Sequence, residues 1–390
     1  MAHEDHDAFY SKLELRGVTR RDFLKFCGSM AAMLGLAESA VPQIAAAVEA
    51  GAKLTPALWI NGGACTGCTE SIAQVDSPDV ATIVLDLLSL EYFETIMMAQ
   101  GEDAEKAKAD RIEQGGYVCI YEGTVMTGFE GNALRVAGKP QTEELPHLFE
   151  NALAIVAIGS CAVDGGWVAA RPNPAGGIGV PQFCRENGIE TPVINLPTCP
   201  VNPEWLVAMV INVLMLGGLE DLTKLNLDDF NRPKLIFGQT IHDQCPRRGH
   251  FENGEFVYEF GSEEEAKGYC LYAVGCKGPQ TFTNCPIVRW NRRASWCVEA
   301  GAPCIGCGSA DPLNEGGNWV DVGAPFLNRH KDIRIGDMIT QPPVVGGIVG
   351  AAALGALTLH GIGMKAAGRM DGGAPYEDAK EHDRKKGGGK

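Results

Sequence analysis

Five short apolar runs mark the first half of the chain, at positions 57–61, 82–88, 117–121, 153–158 and 193–196. They are apolar on both faces, the pattern of strands covered on both sides, and they alternate with longer helical stretches, of which 204–216 is the clearest. This alternation predicts an α/β fold with a doubly wound parallel sheet, in which ligands sit beyond the carboxyl ends of the strands. A different pattern lies near the end. Residues 344–364 are apolar or small apart from Thr358 and His360, and at about 1.5 Å per residue they span roughly the 30 Å of a bilayer core. They read as a transmembrane helix. Lys365, Arg369, Lys380, Arg384, Lys385, Lys386 and Lys390 follow it and assign the tail to the cytoplasmic side.

The opposite end has its own signature. Thr19-Arg20-Arg21-Asp22-Phe23-Leu24-Lys25 precedes a modest apolar segment at 26–36 and the small-residue run Ala45-Ala46-Ala47. This reads as a twin-arginine export signal, cleaved near 47–50 and used for proteins that cross the membrane already folded. An exported body, a spanning helix and a cytoplasmic tail are mutually consistent.

Charge and cysteine content then narrow the chemistry. A net charge of -16 and a pI near 5.0 exclude a nucleic-acid partner, because phosphate binding needs clustered Lys and Arg. Seven of the 14 cysteines fall between 242 and 307, as His242-x2-Cys245, Cys270-x5-Cys276, Cys285, Cys297 and Cys304-x2-Cys307. A thiol-rich stretch without long apolar runs closes poorly by burial alone, and thiolates select iron-sulfur clusters, zinc or copper(I). Disulfides fit less well. The Cys-x2-Cys pairs suit one metal centre, and disulfide-dense domains are usually short. The eight ligands divide into two sets of four, one carrying the histidine.

A third set follows from the fold class. Cys65 and Cys68 come just after the first apolar run, Cys161 after the fourth and Cys199 after the fifth. A parallel sheet brings these distant positions to one edge, where four thiolates complete a cluster site. Cys27, Cys119 and Cys184 are left over and read as structural. Glu70 and Glu122 flank the same edge and read as helix-capping or surface carboxylates, or as groups at a contact between subunits or in proton movement. Pro246-Arg247-Arg248 reads as a solvated loop or as a cationic edge for an electron acceptor.

With these residues assembled, the chain resembles the small subunit of a membrane-associated, periplasmic nickel-iron hydrogenase. The likeness rests on Cys65-Thr66-Gly67-Cys68-Thr69-Glu70, Gly159-Ser160-Cys161, Pro197-Thr198-Cys199-Pro200 with Asn202-Pro203, and His242-x2-Cys245. It continues through Cys270-Leu271-Tyr272, Gly275-Cys276-Lys277-Gly278-Pro279, Cys304-x-Gly306-Cys307 and the terminal helix. The resemblance implies a flavodoxin-like domain at 51–235 after a signal peptide at 1–50, then a loop-rich iron-sulfur domain at 236–330. A linker at 331–343, the spanning helix at 344–364 and a basic tail at 365–390 complete the plan.

It also implies a proximal 4Fe-4S cluster on Cys65, Cys68, Cys161 and Cys199 and a distal 4Fe-4S cluster on His242, Cys245, Cys270 and Cys276. The medial cluster uses Cys285, Cys304 and Cys307. Hydrogen would be split on a separate large subunit holding the nickel-iron centre, and this chain would pass electrons to a membrane acceptor, a cytochrome b or a quinone-reducing protein. Three departures stand out. Cys297 follows Trp296 where many relatives have proline, which supplies a fourth medial thiolate and predicts a 4Fe-4S rather than a 3Fe-4S cluster. Ala64 replaces a common glutamate. Gly67 replaces the extra cysteine of the oxygen-tolerant proximal site, which predicts oxygen sensitivity. His360 is a candidate contact to a haem or quinone-reducing subunit. The rival readings are an iron-sulfur subunit of another respiratory complex and a structural zinc-binding scaffold.

Overall fold

The computed structural model describes residues 19–33, 36–50, 56–75, 89–170, 172–215, 225–309, 333–335, 338–340 and 342–367, together with Ser11 and Glu14. Met1–Arg329 form one compact unit and His330–Lys390 a second.

The first unit is organised around five parallel strands: β1 (Pro56–Asn61), β2 (Ser89–Phe93), β3 (Tyr117–Glu122), β4 (Ala152–Ile158) and β5 (Val193–Leu196), in the order β2-β1-β3-β4-β5. Successive side chains of a strand point to opposite faces, and here both faces are apolar. Leu58, Ile60, Tyr117, Tyr121 and Ile155 enter one core; Ala57, Trp59, Ile120, Val156 and Leu196 enter the other. The expected run at 82–88 lies outside the described residues. The observed β2 begins at Ser89, and only Tyr92 and Phe93 of it are buried.

Two helices open the described chain, α1 (Arg20–Met33) and α2 (Val41–Ala50). Thr19 caps α1 by accepting the Asp22 amide at 3.2 Å. Six more alternate with the strands: α3 (Gly67–Ile72), α4 (Glu102–Gln114), α5 (Gln141–Glu150), α6 (Gly159–Asp164), α7 (Val180–Asn187) and α8 (Pro203–Met215). Residues of α4 to α7 fill the first core, while α3 and α8 contribute Cys68, Ile72, Trp205 and Leu206 to the second. The sheet is therefore covered on both sides. Helices α1 and α2 lie on α8, where Phe23, Phe26, Met30, Ile44 and Val48 bury a patch made of Val75, Val207, Ala208 and Ile211.

Residues 225–309 run through short helical turns and loops. Phe237, Ile241, Val257, Leu271 and Trp296 of this stretch pack with Trp59, Ile158 and Trp205 in the second core, so residues on both sides of 235/236 share one apolar interior. The second unit contains an antiparallel pair, Ile333–Ile335 with Met338–Thr340, and helix α9 (Pro342–Ala366). Ile348–Ala366 is long and apolar enough to cross a membrane. Leu354, Leu357, Leu359 and Ile362 are all exposed on it.

Candidate metal centres

At the carboxyl edge of the sheet, β1 ends in Asn61 and the chain turns at Gly62 and Gly63, whose amides donate to the carbonyls of Glu122 (2.7 Å) and Thr124 (2.8 Å). A Cβ at Gly62 would lie 2.3 Å from the Tyr121 hydroxyl, so only glycine passes there. The turn delivers Cys65 and then α3, which carries Cys68. Glu122, 2% exposed at the end of β3, receives the first amides of α3: Cys68 at 3.0 Å and Thr69 at 3.3 Å. Its other oxygen accepts the Thr69 hydroxyl at 2.6 Å and the Trp59 indole N–H at 3.1 Å. The buried carboxylate is thus fully hydrogen-bonded and clamps the Cys-x2-Cys turn. Of the roles open to Glu122, the helix cap is the one its contacts fill.

Cys161 enters from α6, directly after β4, and Cys199 from the loop after β5. Burial raises the Cys68 thiol well above its ordinary value, and the neighbouring Glu122, Cys161 and Cys199 add to this. Burial likewise pushes Cys161 up to about 12, with Cys199 and Cys65 adding their charge. The four sulfurs are therefore electrostatic neighbours. An amide reaches one of them too: Val201 donates to Cys68 Sγ at 3.4 Å. A Cβ at Gly159 would sit 2.6 Å from Cys68 Sγ, and one at Gly166 2.9 Å from Cys161 Sγ.

Cys285, Cys297, Cys304 and Cys307 line a single cavity of about 710 Å³, which Cys199 also lines. Thr283 donates to Cys285 Sγ at 2.9 Å. Burial pushes Cys285 up to about 12, with Cys304 and Cys297 contributing. The Cys304-x2-Cys307 turn depends on Gly306, at φ +86°. Cys297 is the exposed member of the set. Ser160 donates its hydroxyl to the Cys307 carbonyl at 3.1 Å, which joins this set to the sheet edge.

His242, Cys245, Cys270 and Cys276 line a second, smaller cavity. His242 rides on the turn Ile241–Gln244, which Thr240 and Asp243 close by a reciprocal capping box. Its ring packs edge-on against Phe251 at 4.5 Å. Burial and then Arg248 lower its pKa, favouring the neutral imidazole that binds metals. Cys276 is pushed up to about 11 by burial, with Cys270 and Cys245 adding, and it accepts the Cys304 amide at 3.3 Å. Arg247 donates to the Tyr269 carbonyl, and Arg248 pairs with Glu252 and Asp243.

Of the candidate ligands, Cys199, Cys285, Cys297, Cys304 and Cys307 line the first cavity, and His242, Cys245, Cys270 and Cys276 the second. Among the described residues, no three His, Cys, Asp or Glu side chains stand close enough to hold a single metal ion. Sulfurs that line cavities, with amide and hydroxyl donors aimed at them, suit a polynuclear iron-sulfur group better than one tetrahedral ion. Cys27, Cys119 and Cys184 are buried in α1, β3 and α7, and no disulfide joins any of the 14 cysteines. Thr283 and Val201, which donate to ligand sulfurs, are not foreseen by spacing because no motif marks them.

Comparison with known proteins decides the family. Residues 237–317 match the family described as the C-terminal part of the NiFe/NiFeSe hydrogenase small subunit, and residues 65–213 match the family described as NADH ubiquinone oxidoreductase, 20 Kd subunit. The quinone-reactive Ni/Fe-hydrogenase small chain of Wolinella succinogenes is 44% identical over 303 residues, covering 77% of this chain and 82% of that one. This chain belongs to the nickel-iron hydrogenase small subunits. The periplasmic [NiFe] hydrogenase small subunit 1 of Nitratidesulfovibrio vulgaris is 40% identical over 305 residues, 78% of this chain and 93% of that one. Among solved structures, the [NiFeSe] hydrogenase of Desulfomicrobium baculatum superposes with a TM-score of 0.62 at 32% identity, over 71% of this chain and all of its own. The hydrogenase small subunit transfers electrons and pairs with a large subunit that holds the catalytic site. Small subunits of this family carry iron-sulfur clusters.

Proposed function

We propose that this hydrogenase small subunit relays electrons from its large subunit through three iron-sulfur clusters, proximal, medial and distal, toward a membrane acceptor. The observation that carries this is a pair of contacts joining the three ligand sets in one row. Ser160, next to Cys161 of the proximal set, donates to the Cys307 carbonyl of the medial set at 3.1 Å, and the Cys304 amide of the medial set donates to Cys276 of the distal set at 3.3 Å. Each cluster, when bound, takes up and releases one electron. Cys65, Cys68, Cys161 and Cys199 would hold the first, Cys285, Cys297, Cys304 and Cys307 the second, and His242, Cys245, Cys270 and Cys276 the third.

The protein's own groups tune this path. Amide and hydroxyl donors favour the more negative state of the thiolate sets, and neutral His242 lessens the negative charge of the distal set, which suits a point of exit. Cys297 supports a four-iron medial cluster, and glycine at position 67 supports an ordinary, oxygen-sensitive proximal cluster. The strand order β2-β1-β3-β4-β5 supports the flavodoxin-like description. Arg20-Arg21 and helix α9 support export by the twin-arginine route and anchoring on the periplasmic side, beside a cytochrome b or quinone-reducing subunit. The match at 65–213 favours a second reading, a respiratory-complex subunit, but that likeness stops short of the His242 set.

Gentle purification tests the proposal. A larger partner containing nickel should accompany the chain, with about twelve irons, four per cluster. Iron without a nickel partner would favour the respiratory reading. Zinc in place of iron would overturn the relay.

A further inference from the structure

We infer that the ion pair of Glu204 and Arg293 positions Cys297, and so decides whether the medial cluster holds four irons or three. The inference deepens the relay reading and rests on it. The first residues of α8 and the residue just before it grip the segment that carries Cys285 and Cys297. Buried Trp205 donates its indole N–H to Asn284 Oδ1 at 2.8 Å and meets the Trp290 ring edge-on at 5.9 Å. Asn202, also buried, donates to the Arg289 carbonyl at 2.6 Å. Glu204 closes the grip. Arg293 Nε donates to its Oε1 at 2.9 Å and Arg293 Nη2 to its Oε2 at 2.8 Å, a two-pronged contact on a carboxylate side chain that is only 10% exposed.

This ion pair holds a strained turn. Trp290 donates its amide to the Ser295 carbonyl at 2.8 Å, and between them Asn291, Arg292 and Arg293 stand in succession at φ +50°, +58° and +62°. Left-handed backbone is unfavourable for residues with a side chain, and three in a row persist only where the surroundings impose them. Asn291 and Ser295 line the medial cavity beside Cys297, whereas Glu204 and Arg293 line a different cavity, of about 830 Å³. The pair therefore acts on the medial set through the turn. Cys285 and Cys304 are buried and held by their own surroundings; Cys297 is exposed, so its place is set by the backbone that leads to it. Release of the turn withdraws Cys297 first and leaves the medial set with Cys285, Cys304 and Cys307.

Variants of the complete heterodimer test this. The readouts are the three-iron resonance of the oxidised protein and its iron content, with the proximal and distal resonances as internal controls. Glu204→Gln and Arg293→Ala should each raise the ratio of three-iron to four-iron medial clusters by about tenfold or more, with the proximal and distal signals unchanged. Arg293→Lys keeps the charge but not the two-pronged contact and should give a smaller rise. The double variant should go no further than either single one, since both changes break the same pair. Single variants with the wild-type ratio overturn the inference. So does an equal loss of all three clusters, which would mark the pair as a support of the whole fold. A strong three-iron signal already in the wild type overturns the four-thiolate medial set, and a wild type without iron overturns the relay; the inference falls with either.

Discussion

The carboxylate of Glu122 accepts the backbone amide of Cys68 at 3.0 Å, tying the end of β3 to the turn that follows β1. The same side chain takes the Thr69 amide, the Thr69 hydroxyl and the Trp59 indole. In Glu122→Gln one acceptor oxygen becomes an NH2 group, so at least one buried donor loses its partner at a cost of about 1–3 kcal/mol. Chemical denaturation should show that loss, and iron analysis should show reduced proximal occupancy. An unchanged midpoint with full iron content would mean that the clamp is not needed.

Cys297 lines the medial cavity with Cys285, Cys304 and Cys307 of the same set, and its charge raises the Cys285 pKa. Cys297→Ala leaves three sulfurs there. The oxidised variant should develop a strong three-iron resonance that the wild type lacks, and should lose about one iron per chain. A strong three-iron signal already present in the wild type would remove Cys297 from the ligand set.

Cys184 belongs to no ligand set, and burial in α7 pushes its thiol from 9.0 up to about 12. Its folded pKa is raised, so the stability it contributes is complete below 9.0 and is lost as pH rises through 12: the unfolded chain ionises first. Each pH unit in that window costs at most about 1.4 kcal/mol for one group. Urea midpoints should therefore fall across the window, and Cys184→Ala should fall less steeply.

The parts legible in the sequence share one property: they depend on spacing. Strands β1, β3, β4 and β5 are solid apolar runs because both faces are buried, and that burial also fixes where Cys65, Cys68, Cys161 and Cys199 emerge. Strand β2 reads Ser-Leu-Glu-Tyr-Phe and buries only its last two residues, so an edge strand of this kind has no such run. The donors to sulfur are illegible for another reason. Backbone amides of Val201 and Cys304 carry no residue signature, and only the tertiary approach aims them. The leader pattern sets α1 and α2 apart from the body, and nothing in Phe23 to Met33 reveals that their partner is the face of α8.

That contact yields its own test. Phe26 is 2% exposed and packs in the cluster that covers Val207, Ala208 and Ile211. Phe26→Ala should cost about 3 kcal/mol of local stability, which makes amide exchange in α1 about a hundredfold faster while the sheet keeps its protection. Exchange rates in α1 equal to those of the wild type would mean that α1 is held by something other than this face.

Helix α9 makes the strongest demand on its surroundings. Leu354, Leu357, Leu359 and Ile362 expose between 61% and 71% of their surface, so no single side of the helix is polar enough to face water. Thr358 turns its hydroxyl onto the Leu354 carbonyl at 2.7 Å, which satisfies that polar atom without solvent. The membrane anchoring proposed above would give such a helix a hydrocarbon surrounding. Leu357 lies at the middle of Ile348–Ala366, where a charge costs about 2.5–3.5 kcal/mol of insertion. Leu357→Arg should therefore reduce the carbonate-resistant membrane fraction by about a hundredfold, whereas Leu357→Ala should leave most of the chain inserted. Equal retention of the arginine variant would place α9 against protein rather than lipid, and the anchor would have to be sought elsewhere in the chain.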